Sequence, residues 1–367
     1  MAHFSASPPP LKRVRRAQAD LRRSARRAAL LTGRPAAGSI RLLYGLLRMP
    51  TLDQQAWGGG PIHMLHLMRR FEPAWRDFNV FHLASSALGL VPDARELAAI
   101  ARRRGAPIVL NQDGIEASPF HPSELRELDV ELIRSADHVI FQSRFCRDAV
   151  EDAVGGRDGS WEILHNGVDV DRFSPPAAEP SGPPTLLLAG NQVQPYRLRL
   201  AVQTLRHVVD AIPDARLLVA GMVRFPEDDL IGALGLRAHV EYVGRHSIRE
   251  APDVYRRAHV LLHPRVDDPC PNAVLEALAS GLPVVHTASG GVPELVGDAG
   301  VGVPGEHRSD ELTLPQPEAL AAAAVEVLGR RAELAPRARA RAVEQFPLER
   351  WLDRYDALLT RLVLEGG

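Results

Sequence analysis

The chain has 367 residues, of which 45% are hydrophobic and 24% charged, with a formal net charge of −1. That length exceeds a single typical core and suits two domains, and no apolar run approaches the roughly 18 residues that a membrane span requires. The two cysteines, Cys146 and Cys270, lie far apart without metal-ligand spacing, and the opening segment carries no apolar signal-type region, so a reducing cytoplasm is the expected compartment.

The charge is unevenly placed. Residues 1 to 41 carry ten Lys or Arg against one acid, Asp20, so the opening is +9 and the remainder −10. Residues 1–40 are expected to be a basic, disordered arm: either a solubilising segment or, through a weak stripe of Val14, Ala17, Leu21, Ala25 and Ala28, a contact with an anionic membrane surface. No aromatic stacking residue is interleaved after Phe4, so nucleic acid is not an expected partner. Lys12 is the sole lysine, which leaves cationic contacts in the body to arginine, histidine and helix N-termini.

From Arg41 onward, short apolar runs alternate with helical stretches, the pattern of doubly wound α/β units whose parallel strands are buried on both faces. A first series places strands at Leu42–Leu46, Val80–Leu83, Ile108–Leu110, Val139–Phe141 and Trp161–Leu164. A second places them at Thr185–Ala189, Arg216–Ala220, Val240–Val243, Val260–Leu262, Pro283–Val285 and Val301–Val303. The proline-rich stretch between the series divides the chain into a first domain at 41–174, a linker at 175–184 and a second domain at 185–346. The final segment sets Leu348, Trp351, Leu352, Tyr355, Leu358, Leu359 and Leu362 on one helical face, so a helix over 347–364 must pack on a domain.

The stretch "DDPCPNAVLEALASGLPVV", Asp267 to Val285, concentrates candidate chemistry. Asn272 is suited to an N-cap and Gly281 to a C-terminal stop, predicting a helix from Ala273 to Ser280. The uncapped N–H groups of Ala273 and Val274 would form an anion site suited to phosphate. Asp268 lies on the approach and Glu276 just past the first turn, so one carboxylate reaches each end of a ligand with a phosphate between. That suits a nucleoside diphosphate carrying a sugar.

These residues resemble the signature of the family 4 retaining glycosyltransferases, two acids separated by seven residues. Further segments follow the same family in order: "WGGGPIHMLHLMRR", "ADHVIFQSRFCRDAV", "HNGVDVDRFSP", the donor-domain run from Val240 to Pro304, and the C-terminal "FPLERW". The resemblance implies a GT-B architecture: two Rossmann-like α/β domains facing across a cleft, with the last helix crossing back to the first. It implies transfer of a sugar from a nucleotide-sugar donor to an acceptor hydroxyl with retention, without an essential divalent metal or other cofactor. Glu276 would bind the ribose hydroxyls and Asp268 the donor sugar. Gly290 and Gly291 would admit the ligand closely, Arg245 would lie near the base, and Gly59 and Gly60 would face the diphosphate and acceptor.

The pattern departs from the family at three places. After the first donor-domain strand the family's Gly-Arg is Gly190-Asn191, and Tyr196 stands at its lysine position. Arg197 is the expected substitute, with Arg199 second, because guanidinium grips phosphate bidentately. Asp113 occupies the approximate place of a family histidine and is either a contact to sugar or acceptor, or a turn residue. Pro271 removes one N–H from the donor loop. Because of these departures a catalytically weak scaffold homologue stays open as a reading, and because it can share the two-domain architecture, so does a nucleotide-sugar epimerase. The acceptor would be a glycan, a lipid-linked molecule or a small molecule.

Overall fold

The computed structural model describes residues 30, 39–46, 49–53, 58–91, 93–113, 123–308 and 311–365. Residues 1–29 and 31–38 of the expected arm, and with them the proposed membrane stripe, lie outside the described residues. Leu30, the one described residue between 1 and 38, is helical and 3% exposed, and its carbonyl accepts from Arg104 Nη1 at 3.1 Å. It belongs to the first-domain core.

The first sheet contains β1 (Leu42–Leu43), β2 (Val80–Ala84), β3 (Ile108–Gln112), β4 (His138–Phe141) and β5 (Ser160–Ile163), all parallel and in sequence order. Every residue of β2, β3 and β4 is buried, which explains their mainly apolar character; His82, Asn111, Gln112 and His138 are buried polar exceptions. The helices are α1 (Gly59–Leu67), α2 (Ala94–Arg103), α3 (Ser123–Ser135) and α4 (Arg144–Val154), with a 3₁₀ turn at Ser85–Leu90.

The second sheet contains β6 (Thr185–Leu188), β7 (Arg216–Ala220), β8 (Val240–Gly244), β9 (Val260–His263), β10 (Val284–Thr287) and β11 (Gly300–Val303). Its order is β11-β10-β9-β6-β7-β8, and all pairings are parallel. The winding therefore reverses between β6 and β9, and the crevice at their carboxyl ends is where an open α/β sheet receives a ligand. Around it lie α5 (Pro195–Ala211), α6 (Asp228–Ala233), α7 (Ala251–Tyr255), α8 (Asn272–Ala279), α9 (Val292–Val296), α10 (Pro317–Gly329) and α11 (Arg331–Gln345). The hairpin β12 (Glu306–Arg308) and β13 (Glu311–Thr313) was not anticipated, because it contributes no buried apolar run to the sequence pattern.

Two chain segments cross between the domains and pair with each other. Val168 N donates to Phe346 O at 2.8 Å and Leu348 N to Val168 O at 2.9 Å. Helix α12 (Leu348–Glu365) then buries its seven apolar positions in the first-domain core, as their spacing requires. Arg70 fixes it from outside through Glu349 at 3.1 Å and Asp353 at 2.5 Å. The glycine of "HNGVD" has a steric reason: a Cβ on Gly167 would stand 2.8 Å from the Trp351 Cβ.

Candidate active site

A cavity of about 480 Å³ lies between the domains at the β6/β9 reversal, lined from both sides. Asp268 and Glu276 are both in its wall, as are Asp113, Gly59, Gly190, Asn191, Arg197, Asn272 and Ala273. The fold thus gathers nine of the expected site residues at one place.

Asp268 is 6% exposed. Its Oδ2 lies 3.2 Å from Arg265 Nη1 and 3.3 Å from His263 Nε2. Burial by itself raises a carboxyl pKa, but Arg265, His263 and the more distant Arg197 outweigh it and hold Asp268 at about 2. It is a fixed anion. The loop that presents it is constrained: Asp267 adopts φ 54°, and its N–H donates to Ser289 Oγ at 2.9 Å.

Glu276 has the opposite character. It is half-buried on α8 and accepts a hydrogen bond from Tyr255 Oη at 2.6 Å. Burial raises its pKa to about 7, against the opposing effects of the Tyr255 hydrogen bond and Arg172. The α8 N-terminus lies between a permanent anion and a carboxyl that ionises near neutrality.

The start of α8 differs from expectation. Its N-cap is Pro271, with no side-chain cap, and Asn272 is already helical. The Asn272 side chain is used elsewhere: its Oδ1 accepts from Asn166 Nδ2 of the first-domain side at 3.1 Å. Asn166 Nδ2 also contacts Gln142 Oε1 at 3.2 Å and Cys270 O at 3.1 Å, joining the two walls of the cleft. Val274 is removed from the anion site, because it is fully buried and its N–H donates to Pro271 O at 3.0 Å. Gly281, at φ 73°, is the expected helix stop.

Arg197 and Arg199 separate. Arg197 is 4% exposed, donates through Nη1 to Asn191 O at 3.0 Å and through Nη2 to Ala189 O at 3.2 Å, and faces the cavity with its pKa lowered by burial to about 10. Arg199 points away and pairs with Glu227 Oε1 at 3.1 Å, so it is removed from the site. Two residues along α5 is about 200° of rotation, enough to place them on opposite faces. Asn191 lines the cavity, and its Oδ1 accepts from Met222 N at 3.0 Å, tying the β6 loop to the β7 loop.

Four further expectations change. Arg245 is exposed outside the cavity with Nη2 at 2.6 Å from Met222 Sδ, and His246, Ser247 and Ile248 line the wall in its place. Gly60 packs under the 3₁₀ turn, where a Cβ would stand 2.8 Å from the Ala87 Cβ. Gly290 and Gly291 do not face the cavity. A Cβ on Gly290 would stand 2.6 Å from the Asp268 backbone, and one on Gly291 would meet Pro269 O and, at 2.7 Å, Ser143. These glycines let one loop press against the loop carrying Asp268. Gly291 N donates to Asp268 O at 3.0 Å, completing that brace.

Sequence reasoning passed over Arg265, His263 and Tyr255, which set the ionisation of the two acids from 3 to 21 positions away in the chain. It also passed over Asp129 and Gln142 on the first-domain wall, and over Glu294. Glu294 accepts from Arg144 N at 3.1 Å and Phe145 N at 3.0 Å, so the second domain caps a first-domain helix. His165 Nε2 lies 3.3 Å from the same carboxylate.

The architecture is shared with solved two-domain glycosyltransferases. Anabaena HepE in complex with UDP-glucose superposes with TM-score 0.64 at 20% identity over 82% of each chain. Sucrose-phosphate synthase from Thermosynechococcus elongatus superposes with TM-score 0.64 at 20% identity, over 78% of this chain and 74% of that one. The fold is therefore GT-B, two facing Rossmann-like domains. Among curated proteins, the chain is 26% identical over 216 residues to D-inositol 3-phosphate glycosyltransferase of Mycobacteroides abscessus, 55% of this chain and 48% of that protein. It is 26% identical to a GDP-mannose-dependent monoacylated alpha-(1-6)-phosphatidylinositol monomannoside mannosyltransferase of Corynebacterium glutamicum, over 59% of this chain and 60% of the relative. The chain spans about half the length of the first of these relatives. The family model Glycosyltransferase Family 4 matches residues 8–172, and Glycosyl transferases group 1 matches residues 183–330. The chain belongs to the family 4 glycosyltransferases.

Proposed function

We propose that the protein transfers a sugar from a nucleotide-sugar donor to an acceptor hydroxyl with retention of configuration, using no divalent metal. The observation that carries this reading is the placement of Asp268 and Glu276 on either side of the α8 N-terminus, within one interdomain cavity. Glu276 is suited to the ribose hydroxyls and Asp268 to hydroxyls of the donor sugar, as the family pattern implies. Between them Arg197, Arg265 and the backbone at Asn272 and Ala273 supply positive potential for a diphosphate leaving group. Support for the donor class comes from relatives: HepE is known in complex with UDP-glucose, and the mannosyltransferase is named as GDP-mannose-dependent.

The proposed chemistry is positional. Cleft walls bridged by Asn166 and Asn272 hold donor and acceptor together and exclude water. Without an assigned protein nucleophile, the departing phosphate is the group placed to receive the acceptor proton on the same face. The +9 charge of residues 1 to 41 supports peripheral contact with an anionic membrane surface, tested by sedimentation with anionic and neutral vesicles.

The test of the donor site is calorimetric titration of UDP, GDP and ADP, with their sugar conjugates, in EDTA. Preference for one nucleotide, lost in Glu276→Ala, is the expected result. Binding that requires added metal, or that survives the substitution unchanged, would overturn the assignment.

A further inference from the structure

We propose that the acceptor is an uncharged polyhydroxylated molecule whose hydroxyls are received by Asp113 and Asp129 on the first-domain wall of the cavity. This rests on the transferase reading above and adds to it the chemical class of the second substrate.

Asp129, on α3, lines the cavity while only 7% exposed. Its Oδ2 accepts from Gln112 Nε2 at 3.1 Å, but its Oδ1 has no hydrogen-bond partner. A buried carboxyl oxygen left unmatched is costly and needs a reason. Burial, with the neighbouring charge of Asp113, raises the Asp129 pKa to about 7. Asp113 is held in place by Ser85, whose Oγ donates to Asp113 Oδ1 and accepts from Asp113 N at 3.0 Å. Two carboxyls from different elements therefore converge on one wall.

Among the described first-domain residues that line the cavity, the one cation is Arg126, which is exposed and already engaged. A hydroxyl would donate to the unmatched oxygen. A phosphate brought to the same place would meet the Asp113 carboxylate, and that of Asp129 once it ionises, so the wall disfavours it by repulsion. This separates the chain from relatives whose names carry phosphorylated acceptors.

The experiment uses the full chain saturated with whichever of UDP, GDP or ADP it binds. Saturation-transfer NMR then measures affinity for two matched pairs, myo-inositol with its monophosphate and glucose with its 6-phosphate. An uncharged member is expected to bind roughly ten-fold more tightly than its phosphate, and Asp129→Asn to reduce that ratio below about three-fold. Nucleotide affinity should stay within about two-fold of wild type. Asp113→Asn repeats the measurement should Asp129→Asn unfold, which thermal melting reports. Preference for the phosphorylated member, a ratio unchanged in both variants, or no binding by any of the four probes would overturn the inference. Failure of the wild type to bind any nucleotide is read separately by calorimetry and would remove the donor-site reading instead.

Discussion

The Tyr255 hydroxyl donates to Glu276 Oε2 at 2.6 Å, joining α7 to α8 at the wall of the cleft. The bond favours the carboxylate against a burial effect that otherwise dominates and places its pKa at about 7. Because the folded-state value lies above the ordinary carboxyl value of 4.5, this group destabilises the fold progressively as pH rises from that value through 7. Glu276→Gln should therefore melt like wild type at pH 4 and be more stable at pH 8, by at most about 3 kcal/mol, while losing nucleotide affinity. Thermal melts across this range check the sign. Tyr255→Phe should move the midpoint of pH-dependent nucleotide binding upward.

Asp268 gives the opposite pH dependence. Its folded pKa of about 2 lies below the ordinary 3.8, so its stabilisation is present above the ordinary value and is lost as pH falls toward 2. Arg265→Gln removes the chief counterion from a 6%-exposed carboxylate and should cost roughly 3 kcal/mol at pH 7. A melt shift below a few tenths of a kcal/mol would show that His263 and Arg197 suffice without it.

Arg197 and Arg199 offer a contrast on one helix. Arg197→Gln should weaken nucleotide binding by roughly ten-fold or more, whereas Arg199→Gln should leave it within about two-fold. Equal losses in both would mean that the cavity face of α5 has been misassigned.

Glycine positions separate packing from ligand access. Gly291→Ala drives a methyl into Pro269 O and Ser143 and should cost roughly 1–3 kcal/mol with a displaced Asp268 loop. At Gly59 nothing stands within 4 Å of an added Cβ, so Gly59→Ala should preserve or slightly raise stability. Loss of turnover in stable Gly59→Ala would then report obstruction of a substrate in the cavity.

Much of this molecule is legible in its sequence. The eleven strands of the two large sheets fall within a few residues of their expected places; the inner strands such as β2 and β9 are covered on both faces and write mainly apolar runs, while the edge strands β5, β8 and β11 are partly exposed. The α12 face is legible because one stripe must meet a core, and Asp268 and Glu276 are legible because their separation spans a helix start. Long-range contacts left no such periodicity. Asn272 reads as a cap, yet its side chain reaches Asn166 across the cleft, 106 residues away. Arg199 reads as a phosphate ligand, yet Glu227 engages it on the outer face of α5.

The sequence by itself determined two α/β series, the returning helix and the spacing of the pair of acids, since these follow from local periodicity and spacing. Only the tertiary structure decided that Asp268 is a fixed anion and Glu276 titrates near neutrality, that Gly290 and Gly291 brace a loop, and that Asp129 joins Asp113 on the facing wall. Ionisation and steric tolerance depend on which groups share a few ångströms of low-dielectric space, and the folded chain assembles those neighbours from distant positions.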